Sequence, residues 1–147
     1  MVLFHLELGV IVFTPENVIL GLKLAVSLVT VLLIASLIAI SMGYQKLHGK
    51  INLIFFILTL IAVVGFEAII RWVNPQLTAE FTEEQQRALS IHLCFSVPST
   101  ILLPFMLFTG KWWGRYHRKL AFVFLLMWTG TFITGVFFLP HSFTPAQ

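Results

Sequence analysis

The sequence predicts an all-α integral membrane protein, a four-helix bundle with its N- and C-termini both on the outer side (N-out/C-out). The chain has 147 residues, of which 59% are hydrophobic and only 10% are charged, whereas soluble domains carry about 25% charged residues. Four long apolar runs occupy most of it, and each approaches or exceeds the roughly 20 residues that cross a bilayer as a helix. Residues 1–147 are therefore expected to form a single transmembrane bundle surrounded by lipid.

Local signals place the individual spans. Residues 1–13 are apolar but too short to cross a bilayer, and they lack the features of a signal peptide, so we expect a short segment at the outer interface. Thr14 and Pro15 suit the cap and first turn of span one. Pro98 and Pro104 remove hydrogen bonds inside span three and predict a kink there. The expected spans are about residues 17–42, 51–73, 89–109 and 120–139.

The charge distribution predicts the orientation of the bundle. The short connections after spans one and three are basic, whereas the acidic residues lie at the other ends of the spans or in the loop after span two. Since basic loops remain in the cytoplasm, both termini and the acidic loop are expected outside. This topology also explains the net charge of +3, so we expect no nucleic-acid partner. The basic residues are Lys46, Lys50, Lys111, Arg115, Arg118 and Lys119, and the acidic loop holds Glu80, Glu83 and Glu84.

All five histidines lie near span ends and fall into two groups by side of the membrane. His48 and His117 are predicted at the cytoplasmic side, each at the start of a span and at similar depth. His92 and His141 are predicted at the outer side, and His5 precedes span one there.

These positions permit two interpretations. A transmembrane b-type haem needs two neutral imidazoles from facing helices at one depth, with basic groups nearby for the propionates. A pair such as His48 and His117, with Lys46, Arg115 or Arg118 nearby, could meet that requirement. A copper or zinc site would also use imidazole. Alternatively, histidine suits the membrane interface, where it hydrogen-bonds to headgroups or loop carbonyls. The spacing of the histidines does not separate these alternatives.

Three charges are predicted within the spans, where an ionisable group is costly unless it is paired or faces a cavity. Glu67 lies well inside span two, and Arg71 follows four residues later on the same helix face, which favours an ion pair. Lys23 of span one is expected at a comparable depth. This intramembrane charge cluster is either a structural ion-pair network or a site that handles protons or a ligand.

Span four also carries small residues four apart, Gly130 with Thr134 and Thr131 with Gly135, which favour close packing between helices. The one cysteine, Cys94, rules out an internal disulfide or a CxxC motif. No phosphate-binding loop, hydrolase triad motif or HExxH zinc signature is present, so enzyme activity is not expected.

The histidine-bearing segments resemble the YozB/CtaM-like family of small bacterial membrane proteins associated with haem–copper terminal oxidase assembly. The similar segments cover roughly the last two thirds of the chain, and they are His48-Gly49-Lys50-Ile51-Asn52, Ile91-His92-Leu93 and Tyr116-His117-Arg118-Lys119-Leu120-Ala121, the last running on to Trp128 and Thr134-Gly135. The resemblance implies a multi-pass protein of the bacterial inner (cytoplasmic) membrane. It further implies a partner among the terminal oxidase subunits and His48, His92 and His117 as the characteristic histidines.

Three functions therefore remain open. The first is an accessory or assembly factor of a respiratory haem–copper oxidase that handles haem or copper through histidines at the span ends, with His48, His92, His117 and His141 as metal ligands. The second is a small b-type cytochrome that transfers electrons through a bis-histidine haem. The third is a structural subunit or small-solute transporter centred on Glu67.

Overall fold

The chain folds as an all-helical bundle of four long apolar helices, which confirms the predicted fold class. The computed structural model describes residues 15–73, 81–112 and 114–139, and this part of the chain contains no strand. Two of the helices end in a π-helical turn. The elements are α1 (Pro15–Ser41), α2 (Gln45–Ala68, continued by the π-turn Ile69–Val73), α3 (Glu83–Trp112) and α4 (Gly114–Ile133, continued by the π-turn Thr134–Phe138).

All four helices are long and apolar enough to cross a membrane. Large apolar side chains cover their outward faces, and Leu24 and Phe137 are 63% and 68% exposed. Such a surface is compatible with a lipid environment and indicates a multi-pass membrane protein. The orientation of the bundle stays a prediction, and the interfacial segment 1–13, Thr14, His5 and His141 lie outside the described residues.

The α1–α2 connection is shorter than the sequence suggested, because α2 begins at Gln45, before the expected start of span two. Gly43 has a φ of 84°, a left-handed conformation that glycine adopts without strain. The Gly43 N–H donates to the Ile40 carbonyl (3.0 Å) and the Tyr44 N–H to the Ala39 carbonyl (2.8 Å), the two bonds of a Schellman motif. This turn ends α1 and places His48 in the first turn of α2.

Helix α3 also starts earlier than the expected span, at Glu83, because a capping box precedes it. The Gln85 N–H donates to Thr82 Oγ1 (3.3 Å), and the Thr82 N–H donates to Gln85 Oε1 (3.0 Å). This reciprocal pair satisfies backbone donors that a helix start leaves open. Helix α3 then runs through Pro98 and Pro104 as one element.

Two antiparallel hairpins, α1–α2 and α3–α4, pack against each other through an aromatic core. Its buried residues are Val29, Leu33, Phe55, Leu103, Phe124 and Trp128. The rings of Phe55 and Trp128 meet edge to face, with centroids 4.8 Å apart, and Trp128 Nε1 donates to Thr30 Oγ1 of α1 at 3.1 Å. This core joins the hairpins and separates two polar regions, one at each end of the bundle.

Candidate functional site

The structure brings His48 and His117 together at the end of the bundle where α1 meets α2. Their ring centroids are 6.4 Å apart, and the ring planes are nearly perpendicular at 83°. His48 comes from the first turn of α2 and His117 from the first turn of α4. The expectation that these two side chains lie at one depth on facing helices agrees with this geometry.

A closed hydrogen-bond network fixes the tautomer of His48. The Ser36 hydroxyl donates to Asn52 Oδ1 (2.6 Å), so Ser36 Oγ accepts from His48 Nδ1 (2.8 Å), which also lies 3.0 Å from the Ser36 carbonyl. The Asn52 amide completes the cycle by donating to His48 Nε2 (3.0 Å). His48 is therefore a neutral imidazole with its proton on Nδ1. Ser36 is fully buried, so the network lies inside the bundle.

His117 is held in a related way against α3. The Thr109 hydroxyl donates to the Phe105 carbonyl (2.8 Å), which leaves Thr109 Oγ1 to accept from His117 Nδ1 (3.4 Å). Gly110 makes room for the ring, because a Cβ at this position would lie only 3.2 Å from His117 Cε1. The Thr109-Gly110 pair is therefore a seat for the imidazole. If Nδ1 carries the proton, Nε2 is left as an acceptor.

A cavity of about 50 Å³ lies between the two imidazoles. It can hold an ion or water but not a porphyrin, because pockets for drug-sized organic molecules measure roughly 300–1,000 Å³. Besides both histidines, Met106 of α3 lines it. Imidazole and thioether together form a ligand set that suits Cu(I). These residue types are compatible with a small ion, and the volume is small for an organic cofactor.

His92 lies at the opposite end of the bundle and does not join this pair. Its Nδ1 lies 3.0 Å from Thr134 Oγ1, whose own proton goes to the Gly130 carbonyl (2.7 Å), so His92 donates from Nδ1. A Cβ on Gly135 would lie 3.0 Å from His92 Cε1. Thr134-Gly135 of α4 thus seats a histidine of α3, just as Thr109-Gly110 of α3 seats a histidine of α4.

The intramembrane charges also lie towards this second end. Arg71 Nε donates to Glu67 Oε2 at 2.8 Å, which is the predicted ion pair. Lys23 Nζ donates to the Leu139 carbonyl at 2.7 Å. Lys23, Glu67 and His92 line one cavity of about 340 Å³, so the similar depth expected for Lys23 and Glu67 agrees with the structure.

Four side chains of the first site were given no role from the sequence, namely Ser36, Asn52, Met106 and Thr109. The pairs His48/Asn52 and Thr109/Gly110 could have been noticed, since residues four apart share a helix face and a threonine beside a glycine can accept a ring. Ser36 carries no such signal, because isolated serines are common in membrane helices and usually bond to their own backbone.

Comparison of the chain with protein-family models, curated proteins and solved structures finds no match. Among the described residues, no group of three or more His, Cys, Asp or Glu side chains could hold a metal ion. Any metal at the first site would therefore depend on the two imidazoles and the Met106 thioether. The metal-binding roles of His48, His92 and His117 stay predictions, and His141 lies outside the described residues.

Proposed function

We propose that this chain is an accessory factor in the assembly of a respiratory haem–copper oxidase, and that it handles copper through His48 and His117. The observation that carries the proposal is the imidazole pair, with ring centroids 6.4 Å apart. Two histidines from different hairpins meet inside the bundle, where a polar side chain is retained only if it is hydrogen-bonded or functional.

The way both rings are held supports a metal-handling role. A histidine that ligates a metal almost always donates its other ring N–H to a neighbouring oxygen, which fixes the tautomer and orientation. His48 donates to Ser36 and His117 to Thr109, so each ring presents Nε2 as the ligand atom. Asn52 donates to His48 Nε2 and has to release that bond before an ion can bind, which is compatible with transient rather than permanent binding.

The oxidase part of the proposal rests on the resemblance of the histidine-bearing segments to the YozB/CtaM-like family. Its members are small inner-membrane proteins linked to terminal oxidases, so the copper would be cargo for an oxidase subunit. A b-type cytochrome is a weaker alternative, because the cavity between the imidazoles, about 50 Å³, is far below the volume of an organic cofactor site.

Copper binding by the purified protein tests the site. We expect detergent-solubilised protein, loaded with Cu(I) under reducing conditions and then dialysed, to retain about one copper per chain by elemental analysis. His48→Ala and His117→Ala should each weaken binding at least tenfold in competition with a chromogenic chelator, because each removes one ligand. His92→Ala is the matched control, since His92 occupies the equivalent Thr-Gly seat at the other end.

Retention of copper by the His48→Ala/His117→Ala double variant would contradict the copper site, and so would equal losses in the His92→Ala control. The oxidase link is tested separately in cells. Bacteria that lack this protein should assemble oxidase with reduced copper content, and wild-type protein but not the double variant should restore it. Normal copper content without the protein would contradict the assembly role.

A further inference from the structure

The second cavity separates the two hairpins at the end opposite to the His48–His117 pair. Its volume, about 340 Å³, falls within the range of small-molecule sites. Thr59 and Glu67 both line it, and they lie eight residues apart on α2, which is about 12 Å along a helix. The cavity is therefore elongated along the helix axes, and most of its wall is apolar, including Phe66 and Trp128.

Two residues that line it carry hydrogen-bonding capacity that the described protein groups do not use. Thr59 Oγ1 is buried and has no hydrogen-bond partner among the described residues, although buried polar atoms are nearly always paired. Thr59 belongs to α2, and this residue is only 5% exposed. On the facing hairpin, His92 uses Nδ1 to donate to Thr134, so its Nε2 is an acceptor.

The charges on the wall do not favour an ion as the ligand. Glu67 is paired with Arg71, and Lys23 donates to the Leu139 carbonyl. Both charged groups on this wall are therefore already engaged by the protein. The described residues also offer no set of metal ligands at this site. An uncharged organic molecule is the class that remains.

We propose that this cavity binds an uncharged, membrane-soluble molecule that carries a hydroxyl group, such as a quinol or a prenyl alcohol. The hydroxyl of the ligand donates to His92 Nε2, which is an acceptor. A ligand with only carbonyl groups could not make this bond, because it has no hydrogen to donate. The Thr59 hydroxyl, which has no partner among the described residues, hydrogen-bonds to the same oxygen of the ligand or to a second one. The apolar body of the molecule occupies the space between the aromatic side chains. The site is separate from the proposed copper site and does not depend on it.

Native mass spectrometry of the full chain in detergent measures this binding, with decylubiquinol kept reduced under argon as the probe. We expect one molecule per chain and an affinity at least tenfold higher than for decylubiquinone, which lacks the hydroxyl donors. Farnesol, a prenyl alcohol, is the second probe. A higher affinity for farnesol than for decylubiquinol identifies a prenyl alcohol as the ligand class, and the reverse order identifies a quinol.

Matched variants locate the site. Thr59→Val keeps the shape of the side chain and should lower the affinity for the better hydroxylated probe about tenfold, as should His92→Ala. Thr100→Val is the control, because Thr100 also lines the cavity but its hydroxyl already donates to the Ser96 carbonyl at 2.9 Å. Equal binding of decylubiquinone and decylubiquinol, or equal effects of Thr59→Val and Thr100→Val, would overturn the proposal and indicate a cleft filled by lipid chains.

Discussion

Ser36 shows how a single buried hydroxyl can set the protonation pattern of a whole site. It accepts from His48 and donates to Asn52, and the Ser36 carbonyl is a second oxygen within reach of His48 Nδ1. The cycle holds only for a neutral His48, because a proton on Nε2 would face the Asn52 amide, which is itself a donor. The buried network therefore specifies both the orientation and the charge of the imidazole.

Substitution of Ser36 tests this role. Ser36→Ala removes the donor to Asn52 Oδ1 and one of the two oxygens near His48 Nδ1, leaving the Ser36 carbonyl as the other, so it should lower the free energy of unfolding by about 1–3 kcal/mol. Without the Ser36 hydroxyl, Asn52 is free to turn its Oδ1 towards His48 Nε2, so the Nε2–H tautomer of His48 should appear, which nitrogen-15 NMR of labelled histidine detects. Ser41→Ala is the control, because the exposed Ser41 hydroxyl bonds only to the Ile38 carbonyl of its own helix. An unchanged tautomer in Ser36→Ala would argue against the network.

At the scale of the helix, the small residues of α4 act as predicted, because they allow α3 to approach closely. A Cβ at Gly130 would collide with the ring of Phe95. Ser99 and Thr131 hydrogen-bond across the same interface, with their hydroxyl oxygens 3.2 Å apart. The sequence pattern indicated this packing, but it did not indicate that Thr134 and Gly135 also seat His92, since that depends on a partner from another helix.

Gly130→Ala should therefore destabilise the α3–α4 hairpin. The added methyl forces Phe95 or a helix to move, which typically costs about 1–3 kcal/mol. Gly65→Ala is the matched control, because a Cβ there meets nothing within 4 Å and alanine favours a helix over glycine by roughly 1 kcal/mol. Thermal unfolding in detergent micelles should show a lower midpoint for Gly130→Ala and an equal or higher one for Gly65→Ala. The same shift in both variants would contradict the close approach.

At the scale of the whole molecule, composition and apolar run length were enough to predict four helices in one bundle. The helix starts were harder, because Gly43 and the Thr82–Gln85 capping box act through backbone geometry rather than hydropathy. The pairing of His48 with His117 followed from similar depth. The two cavities could not be predicted, because their volumes depend on how the hairpins pack against each other.

The bundle also places the basic residues Lys46, Lys50, Arg115, Arg118 and Lys119 towards the His48–His117 end, which predicts that this end lies in the cytoplasm. Alkaline phosphatase fused after Gln147 should be active, and green fluorescent protein at the same position should be dark. Insertion of either reporter after residue 113 should give the opposite result. A fluorescent fusion after Gln147 would reverse the predicted orientation.

The connections within the two hairpins both lie at the end of the bundle that carries the histidine pair. Met42–Tyr44 separate α1 from α2, and one residue lies between the end of α3 and the start of α4, so both connections at the His48–His117 end are short. The π-turns of α2 and α4 and the larger cavity lie at the far end. The short turns hold the helices of each hairpin together beside His48 and His117, so the contact between the two rings depends on how one hairpin packs against the other.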